Sequence, residues 1–414
     1  FAPEPFHDLA GIPAPPGTPV FPEPRISAAN DYIKTYHDPT DDWGREGGVL
    51  SCLDMGHDLR IESRGYRNPW DIAFDDEFNF IGTDNDQDQG DRVFHSFYGA
   101  HYGWGHKWSA NWRCDNHLPT PELVGPMFGG SGTGTTYFDS PAFPPELRGV
   151  WMFNDWLQRR THFFRTEWQG ARLALAGDRY DTLVSGGKAL YKPTDLEIGP
   201  DGNLYILGWG KEYGVQWNNN GQQVNEGRIF RVRWQHNTAQ DKLQTQHERW
   251  EKPLADWSTL ELIDGLNDVL AVRRIAAQEE LIQRADGPEF ILMALKKGSF
   301  STQQSTWALW AFIRSRYTRQ AHLTSFYEIL SQGPIHQRIQ ALRCLRYHTS
   351  RSSNISNGQP PLDSSTTDVL KSSLTDKNAR IRFEAYQFIT RLEKLPHTIK
   401  QGVLDAISRE TDPT

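Results

Sequence analysis

Short runs of alternating apolar and polar residues, separated by turn residues, fill the first part of the chain. The clearest two runs, residues 195–198 and 203–209, flank the segment Gly199-Pro-Asp-Gly202. Proline at the first central position of such a turn fixes φ, and glycine after aspartate accepts a left-handed backbone. The pattern predicts an antiparallel hairpin. Similar runs predict strands at residues 149–156, 161–165 and 227–234.

The hairpin pattern also occurs 124 residues earlier. Pro69 and Asp71 precede Pro193 and Asp195 by this interval, and the apolar positions that follow correspond as well. The interval equals three units of about 41 residues, close to the roughly 40–45 residues of a four-stranded propeller blade. Residues 50–235 therefore predict about four blades. A β-sandwich is the alternative, but it does not require this spacing.

The pattern changes near residue 235, where glycine becomes rare and helical periodicity begins. Of the 35 glycines, 29 lie before residue 236, as do 11 of the 15 tryptophans. Val272, Ala277 and Leu281 fall on one face of a predicted helix at 271–284. Predicted helices at 305–316, 336–348 and 379–392 repeat a small central residue, and a polar loop is predicted at 350–368. These small residues are Ala308, Ala341 and Ala385.

Small residues at the centre of alternate helices let neighbouring helices approach closely, which favours an α-solenoid of HEAT type over a helical bundle. The predicted fold is a partial β-propeller followed by this all-α solenoid. Its expected parts are a Pro-rich segment at 1–48, propeller blades at 49–235, a linker at 236–253 and helical repeats at 254–414.

Composition narrows the function classes. The net charge of -8 argues against a nucleic-acid partner, because such domains usually carry clustered Lys and Arg. No apolar run is long enough for a membrane span. Three scattered cysteines form neither CxxC nor CxxCH, so no haem site is expected. A disulfide between Cys52 and Cys114 and buried free thiols remain alternatives.

An acidic segment at residues 83–92 is a candidate metal site. Calcium prefers six to eight oxygen ligands, and alternating aspartates followed by a glycine supply several carboxylates and carbonyls together. The segment is not an EF-hand, because its glycine comes one position late and His95 stands where a bidentate glutamate belongs. A solvated acidic turn is the alternative. The candidate ligands are Asp84, Asn85, Asp86, Asp88 and Asp91.

Arg67 and Asn68 precede Pro69 at the entrance to the strand before this segment. A guanidinium fork beside an amide suits carboxylate or quinone oxygens, although an arginine that ties sheets together through carbonyls is the simpler interpretation. A third segment, residues 99–108, alternates glycine with aromatic residues and two histidines. Such a loop suits sugar rings or a flat cofactor, and equally suits propeller packing.

Taken in order, these three segments resemble the soluble pyrroloquinoline-quinone (PQQ)-dependent sugar dehydrogenases, which are six-bladed propellers. The similarity extends over residues 49–235. The order of propeller and helical repeats is similar to that of large dehydrogenase-like proteins of planctomycetes. The resemblance implies that about two blades precede Phe1, so that the chain holds about four blades of six.

The resemblance also implies site residues. Arg67 and Asn68 would contact the quinone, and carbonyls near Asn85 and Asp86 would bind calcium. Lys192 stands where the family has an arginine that grips quinone carboxylates, and Thr194 replaces a second arginine. The family's catalytic histidine has no match in this chain, so the catalytic residue stays unassigned.

The function expected from the resemblance is oxidation of a sugar or other alcohol with PQQ and calcium, in the periplasm or otherwise outside the cytoplasm. A carbohydrate or polyol would be the substrate, and a cytochrome or another protein the electron acceptor. The alternative is a non-catalytic protein that binds glycans or protein partners. A calcium-dependent hydrolase of the lactonase kind is a third hypothesis.

Overall fold

The structure is a computed structural model. It describes residues 47–51, 60–85, 90–102, 121–186, 191–209, 219–221, 227–235, 248–298, 300–355, 362–392 and 395–412. The strands are β1 (Gly47–Ser51), β2 (Arg60–Tyr66), β3 (Pro69–Phe74), β4 (Phe80–Asp84), β5 (Arg92–Ser96), β6 (Ala100–His101), β7 (Gly132–Phe138), β8 (Val150–Asp155), β9 (Arg160–Phe164), β10 (Thr166–Gln169), β11 (Arg172–Leu175), β12 (Asp181–Ser185), β13 (Pro193–Ile198), β14 (Leu204–Gly208) and β15 (Arg228–Val232).

Within the described residues these strands form five sheets. Their orders are β1-β2-β6, β3-β4-β5, β12-β9-β8-β7, β13-β14-β15 and the separate hairpin β10-β11. All pairings are antiparallel except that of β2 with β6. The predicted strands at 149–156, 161–165, 195–198, 203–209 and 227–234 are therefore confirmed in type and place.

The first strands of three successive sheets lie side by side. The backbone N–H of Thr135 in β7 donates to the Asp71 carboxylate of β3 at 2.9 Å, and Thr133 donates to the carbonyl of Pro193 at 2.8 Å. A Cβ on Gly134 would stand 2.5 Å from the Cα of Asp195, so glycine is needed where β7 meets β13. This arrangement is typical of neighbouring propeller blades.

The spacing of these sheets differs from the prediction. The sheets begin at Pro69, Gly132 and Pro193, so the interval of 124 residues spans two units of about 62 in the described structure. The expectation of three units of about 41 was wrong. The middle sheet has four strands, and the hairpin β10-β11 is inserted before its last strand, which lengthens the unit. The number of blades stays a prediction.

The repeated hairpin is confirmed in detail. Gly202 has φ 72° and donates to the carbonyl of Gly199 at 2.8 Å. At the position 124 residues earlier, Phe78 has φ 56° and donates to the carbonyl of Asp75 at 3.0 Å. A left-handed backbone conformation costs more free energy at a phenylalanine than at a glycine. Other contacts must therefore offset this cost at Phe78.

The C-terminal part is helical. The described helices are α1 (Thr259–Gly265), α2 (Ala271–Ile282), α3 (Gly287–Lys297), α4 (Thr302–Arg314), α5 (Gln320–Gln332), α6 (Ile335–Ile355), α7 (Ser364–Leu374), α8 (Ala379–Ile389) and α9 (His397–Ile407). Helices α2, α4, α6 and α8 contact one another in turn, and α1, α3, α5, α7 and α9 form a second layer. Assignment of these layers to HEAT repeats stays a prediction.

The predicted small residues lie at the centre of this array. Ala277, Ala308, Ala341 and Ala385 are fully buried in one hydrophobic cluster. The prediction for Val272 was wrong, because its side chain is 69% exposed. The expected loop at 350–368 is also shorter, since α6 continues to Ile355 and α7 begins at Ser364, capped by the Asp363 side chain. No helix within the described ranges is long and apolar enough to cross a membrane.

The helices bind the turn between β3 and β4 through hydrogen bonds and an ion pair. The carbonyl of Glu77 accepts hydrogen bonds from Gln340 and Arg343 of α6, and Arg343 also donates to the Asn79 side chain at 2.8 Å. The Glu77 carboxylate pairs with Arg380 of α8. The two parts of the chain therefore share buried polar contacts as well as apolar ones.

An acidic groove of about 580 Å³ separates the first strands of the sheets from α2 and α4. Its carboxylates are Asp71, Asp75, Asp76, Asp139, Asp195 and Glu197, and Arg274 lies opposite them. Burial raises the pKa of Asp76 to about 7, and the nearby Asp139 and Asp75 carboxylates add to this effect while Arg274 opposes it. Burial likewise raises the pKa of Asp75 to about 6.

We expect Asp76→Asn to stabilise the protein in a pH-dependent way. Because the folded state holds the Asp76 proton more tightly than the unfolded state, ionisation of Asp76 costs stability as the pH rises from about 4 to about 7. The gain in unfolding free energy should be small at pH 4 and reach about 1–3 kcal/mol at pH 8.

Urea unfolding of both proteins across this pH range measures the difference. The exposed Asp178 provides the matched control, and Asp178→Asn should give a difference near zero at every pH. A gain from Asp76→Asn that stays constant with pH would contradict the account.

Candidate functional site

The candidate site lies where β2 turns into β3. The carboxylate of Asp84, at the end of β4, accepts the backbone N–H groups of Arg67 at 3.1 Å and Asn68 at 2.8 Å. The carbonyl of Asn68 in turn accepts the N–H of Asn85 at 3.4 Å. These bonds fix the turn at the sheet end, with Asn68 exposed and Arg67 half-buried.

A buried ion pair holds Asp84 in place. The Arg92 guanidinium donates to the Asp84 carboxylate through Nε at 3.0 Å and a terminal nitrogen at 2.8 Å. It also donates to the carbonyls of Gly65 and Tyr102, at 2.9 and 2.8 Å. Arg92 and Asp84 are 1% and 0% exposed. Arg92 thus ties together β2, β4, β5 and the chain that follows β6.

Burial raises the pKa of Asp84, while Arg92 and the backbone donors of the turn oppose that change. Burial also lowers the pKa of Arg92, and the Asp84 carboxylate opposes this. A buried ion pair is stable only when further hydrogen bonds satisfy both partners, as they do here.

A second polar network surrounds the start of the neighbouring sheet. The Asn85 side chain donates to the Asp91 carboxylate at 3.1 Å and to the Ser131 hydroxyl at 2.8 Å. The fully buried Asp91 also accepts the backbone N–H of Gly132. The guanidinium of Arg67 donates to the Asn85 side-chain oxygen at 3.0 Å.

The predicted metal ligands fall into two groups. Asp86 and Asp88 lie outside the described residues. Asp84, Asn85 and Asp91 are described, and each accepts or donates hydrogen bonds that fix the loop ends. Among the described residues, no group of three or more His, Cys, Asp or Glu side chains is arranged to hold a metal. The calcium assignment stays a prediction.

Lys192 occupies the position equivalent to Asn68 in the 124-residue repeat, directly before β13. It is 6% exposed, and its ammonium lies 3.7 Å from the centre of the Trp156 ring. A cation over an indole face is electrostatically stabilised. The Thr194 hydroxyl, on β13, donates to the carbonyl of Leu207 at 3.4 Å.

The turn of Arg67 and Asn68 therefore lies where β3 begins, and Lys192 lies where β13 begins. These two strands are the first strands of different sheets. The sequence-predicted residues that the structure joins directly are Arg67, Asn68, Asp84, Asn85 and Asp91. The aromatic loop predicted at 99–108 is described only to Tyr102.

Sequence reasoning missed two features of the site. In the sequence, Arg92 is identified only as the last residue of the acidic segment. An arginine at the start of an apolar strand nevertheless indicates a buried partner of opposite charge. Asp155 and His162, on β8 and β9, form a buried pair with Nε2 and Oδ2 4.0 Å apart. Burial raises the pKa of Asp155 and lowers that of His162, which favours the neutral form of each.

Comparisons with known proteins give partial structural matches. No protein-family model and no curated protein matches the chain. The soluble aldose sugar dehydrogenase of Escherichia coli in its apo form is 19% identical over 39% of this chain and 51% of that chain, with a TM-score of 0.32. The PQQ-bound aldose sugar dehydrogenase of Streptomyces coelicolor is 18% identical over 45% and 52%, with a TM-score of 0.33.

A third match is a crystal structure of a putative oxidoreductase (glucose dehydrogenase) from Thermus thermophilus. It is 18% identical over 41% of this chain and 46% of that chain, with a TM-score of 0.32. The chain thus spans about half the length of each of these three proteins.

Replacing Arg92 with methionine should destabilise the protein strongly. The change leaves the Asp84 carboxylate buried without its cation, and loss of one partner of a buried pair costs about 3–5 kcal/mol. Chemical unfolding measures the loss. Arg179→Met is the control, because Arg179 is 81% exposed beside Asp181 and should cost less than about 1 kcal/mol. Equal losses in the two variants would refute the role assigned to Arg92.

Proposed function

We propose that this chain belongs to a quinoprotein oxidoreductase that oxidises a sugar or polyol with PQQ and calcium. The observation that carries the proposal is the turn of Arg67 and Asn68. Its backbone is fixed by Asp84, so that the exposed Asn68 amide and the half-buried Arg67 guanidinium lie together at a sheet end. Donors held by a rigid scaffold suit a planar ligand with several carboxylates.

The residues present fit the quinone in part. Arg67 and Asn68 supply planar donors at the surface, and these suit carboxylate or quinone oxygens. Lys192 lies beneath the surface against Trp156, so it would act only through its positive charge. PQQ, when bound, would itself be the acceptor of the electrons removed from the alcohol. The described residues of this chain bind and orient it.

The proposed roles follow from the hydrogen bonds. The Arg67 guanidinium, which bonds to the Asn85 side chain, would donate hydrogen bonds to the ligand. Asn68 would donate through its exposed side-chain amide. Asp84 acts as a positioning residue, because it contacts the backbone of both. The catalytic base stays unassigned.

We assign calcium, as part of this proposal, to the segment 84–91. Asp84 and Asp91 are buried. The Asp84 carboxylate accepts the backbone N–H of Arg67, and the Asp91 carboxylate accepts that of Gly132, so in this proposal the two aspartates fix the ends of the segment. Asn85, Asp86 and Asp88 would then supply the oxygen ligands that calcium prefers. Export to the periplasm and a cytochrome or other protein acceptor complete the proposal.

One observation favours a second candidate, a non-catalytic protein that binds glycans or protein partners. The Arg67 guanidinium already bonds to Asn85 and the Lys192 ammonium already stacks on Trp156. Such internal contacts must be exchanged for ligand contacts, which lowers affinity for a quinone.

Calorimetric titration of the purified protein with PQQ in the presence of calcium tests the proposal. Arg67→Met and Asn68→Ala should each weaken quinone binding at least about tenfold, because each removes a donor to a charged ligand. Both changes retain the backbone N–H groups that Asp84 holds, so the turn should keep its structure. Reduction of an electron-accepting dye with a panel of aldoses and polyols measures activity.

Arg148→Met is the control, since Arg148 is partly exposed and pairs with Asp139 near the end of β7, away from the turn. It should bind quinone like the unaltered protein. Absence of quinone binding by the unaltered protein would overturn the enzyme proposal. Calcium-dependent melting without quinone binding would support the non-catalytic candidate.

A further inference from the structure

A second cavity lies at the opposite end of the β3-β4-β5 sheet from the turn of Arg67 and Asn68. This junction cavity has a volume of about 470 Å³ and lies between that sheet and helices α4, α6 and α8. Its volume falls within the range of small-molecule sites. Because it is separate from the site of the proposed function, its role does not depend on that proposal.

The apolar wall of the junction cavity is aromatic. Phe74, Phe80 and Phe97 contribute from the sheet, and Trp310 and Phe383 contribute from the helices. The rings of Phe97 and Phe383 meet edge to face across the junction at 5.1 Å. A flat or aliphatic ligand body would replace water against these rings, which favours binding.

The polar wall is basic. Four arginines and two glutamates line the junction cavity, namely Arg314, Arg343, Arg346, Arg391, Glu62 and Glu384. Arg314 pairs with Glu279 at 2.7 Å. Arg343 pairs with Glu384 at 2.6 Å, and Arg391 pairs with Glu62. Three of the four cations therefore have a close carboxylate partner.

Arg346 is the exception. Within the described part of the chain, its guanidinium makes one hydrogen bond, to a Glu384 oxygen at 3.5 Å, and that carboxylate already binds Arg343. The Arg346 side chain is 18% exposed. Burial and the neighbouring Arg391 and Arg343 lower the pKa of Arg346 to about 10, against the effects of Glu384 and Glu62, and the group stays charged at neutral pH.

A buried cation that shares a carboxylate with a second arginine is costly, and a bound anion would relieve that cost. We propose that the junction cavity binds a small organic anion, with its carboxylate or phosphate head on Arg346 and its apolar body against the aromatic wall. Because the wall comes from both the sheet and the helices, the ligand would stabilise the contact between them.

Phenylacetate and its neutral analogue phenylacetamide test the proposal by calorimetric titration of the full chain. The acid should bind at least about tenfold tighter than the amide, because a charged hydrogen-bond pair adds this much discrimination. Phenyl phosphate, titrated in parallel, distinguishes a phosphate head from a carboxylate head. Saturable binding of either anion that is at least about tenfold tighter than the binding of phenylacetamide supports the proposal.

Arg346→Met should reduce the preference for acid over amide to less than about twofold, because the apolar wall remains while the charge is lost. Arg316→Met, at an exposed arginine outside the cavity, should retain it. Arg346→Gln serves as a second variant, with circular dichroism to check folding. Equal binding of acid and amide by the unaltered protein, or an unchanged preference in both Arg346 variants, would overturn the proposal.

Discussion

The left-handed backbone at Phe78 is the constraint that links the sheets to the helices. A glycine occupies the equivalent place in the second hairpin, at Gly202. The Phe78 ring meets Trp307 edge to face at 5.0 Å and lies 6.2 Å from Trp310, both on α4. Aromatic packing of this kind offsets the cost of the backbone. The hydrogen bonds from α6 to the adjacent Glu77 carbonyl hold the same turn.

The hairpin β3-β4 connects this junction with the candidate site. At one end, the turn around Phe78 borders both the acidic groove and the junction cavity. At the other, β4 ends at Asp84, which fixes Arg67 and Asn68. The two ends differ in chemistry. The junction carries paired charges and aromatic rings, whereas the turn presents amide and guanidinium donors that suit a polar ligand.

Local patterns in the sequence predicted the elements well, and long-range features poorly. The turn Gly199-Pro-Asp-Gly202 and the buried alanines follow from local geometry and helical periodicity, and both are confirmed. In the unit that begins at Gly132, the predicted length was wrong because the hairpin inserted between β9 and β12 does not alter the pattern of the flanking strands. Arg92 pairs with Asp84 on the neighbouring strand, and Arg346 shares Glu384 of α8, so these roles depend on which strands and helices pack together and charge alone did not reveal them.

Phe78→Gly tests the central claim, that packing of this turn against the helices outweighs its backbone strain. Glycine relieves the strain, so an undocked turn would become more stable. We expect the unfolding free energy to fall by about 1 kcal/mol or more, because the contacts with Trp307 and Trp310 are lost. In a double-mutant cycle with Trp307→Ala, the two changes should couple by about 0.5–1.5 kcal/mol. A Phe78→Gly protein as stable as the original, with additive effects in the cycle, would contradict the account.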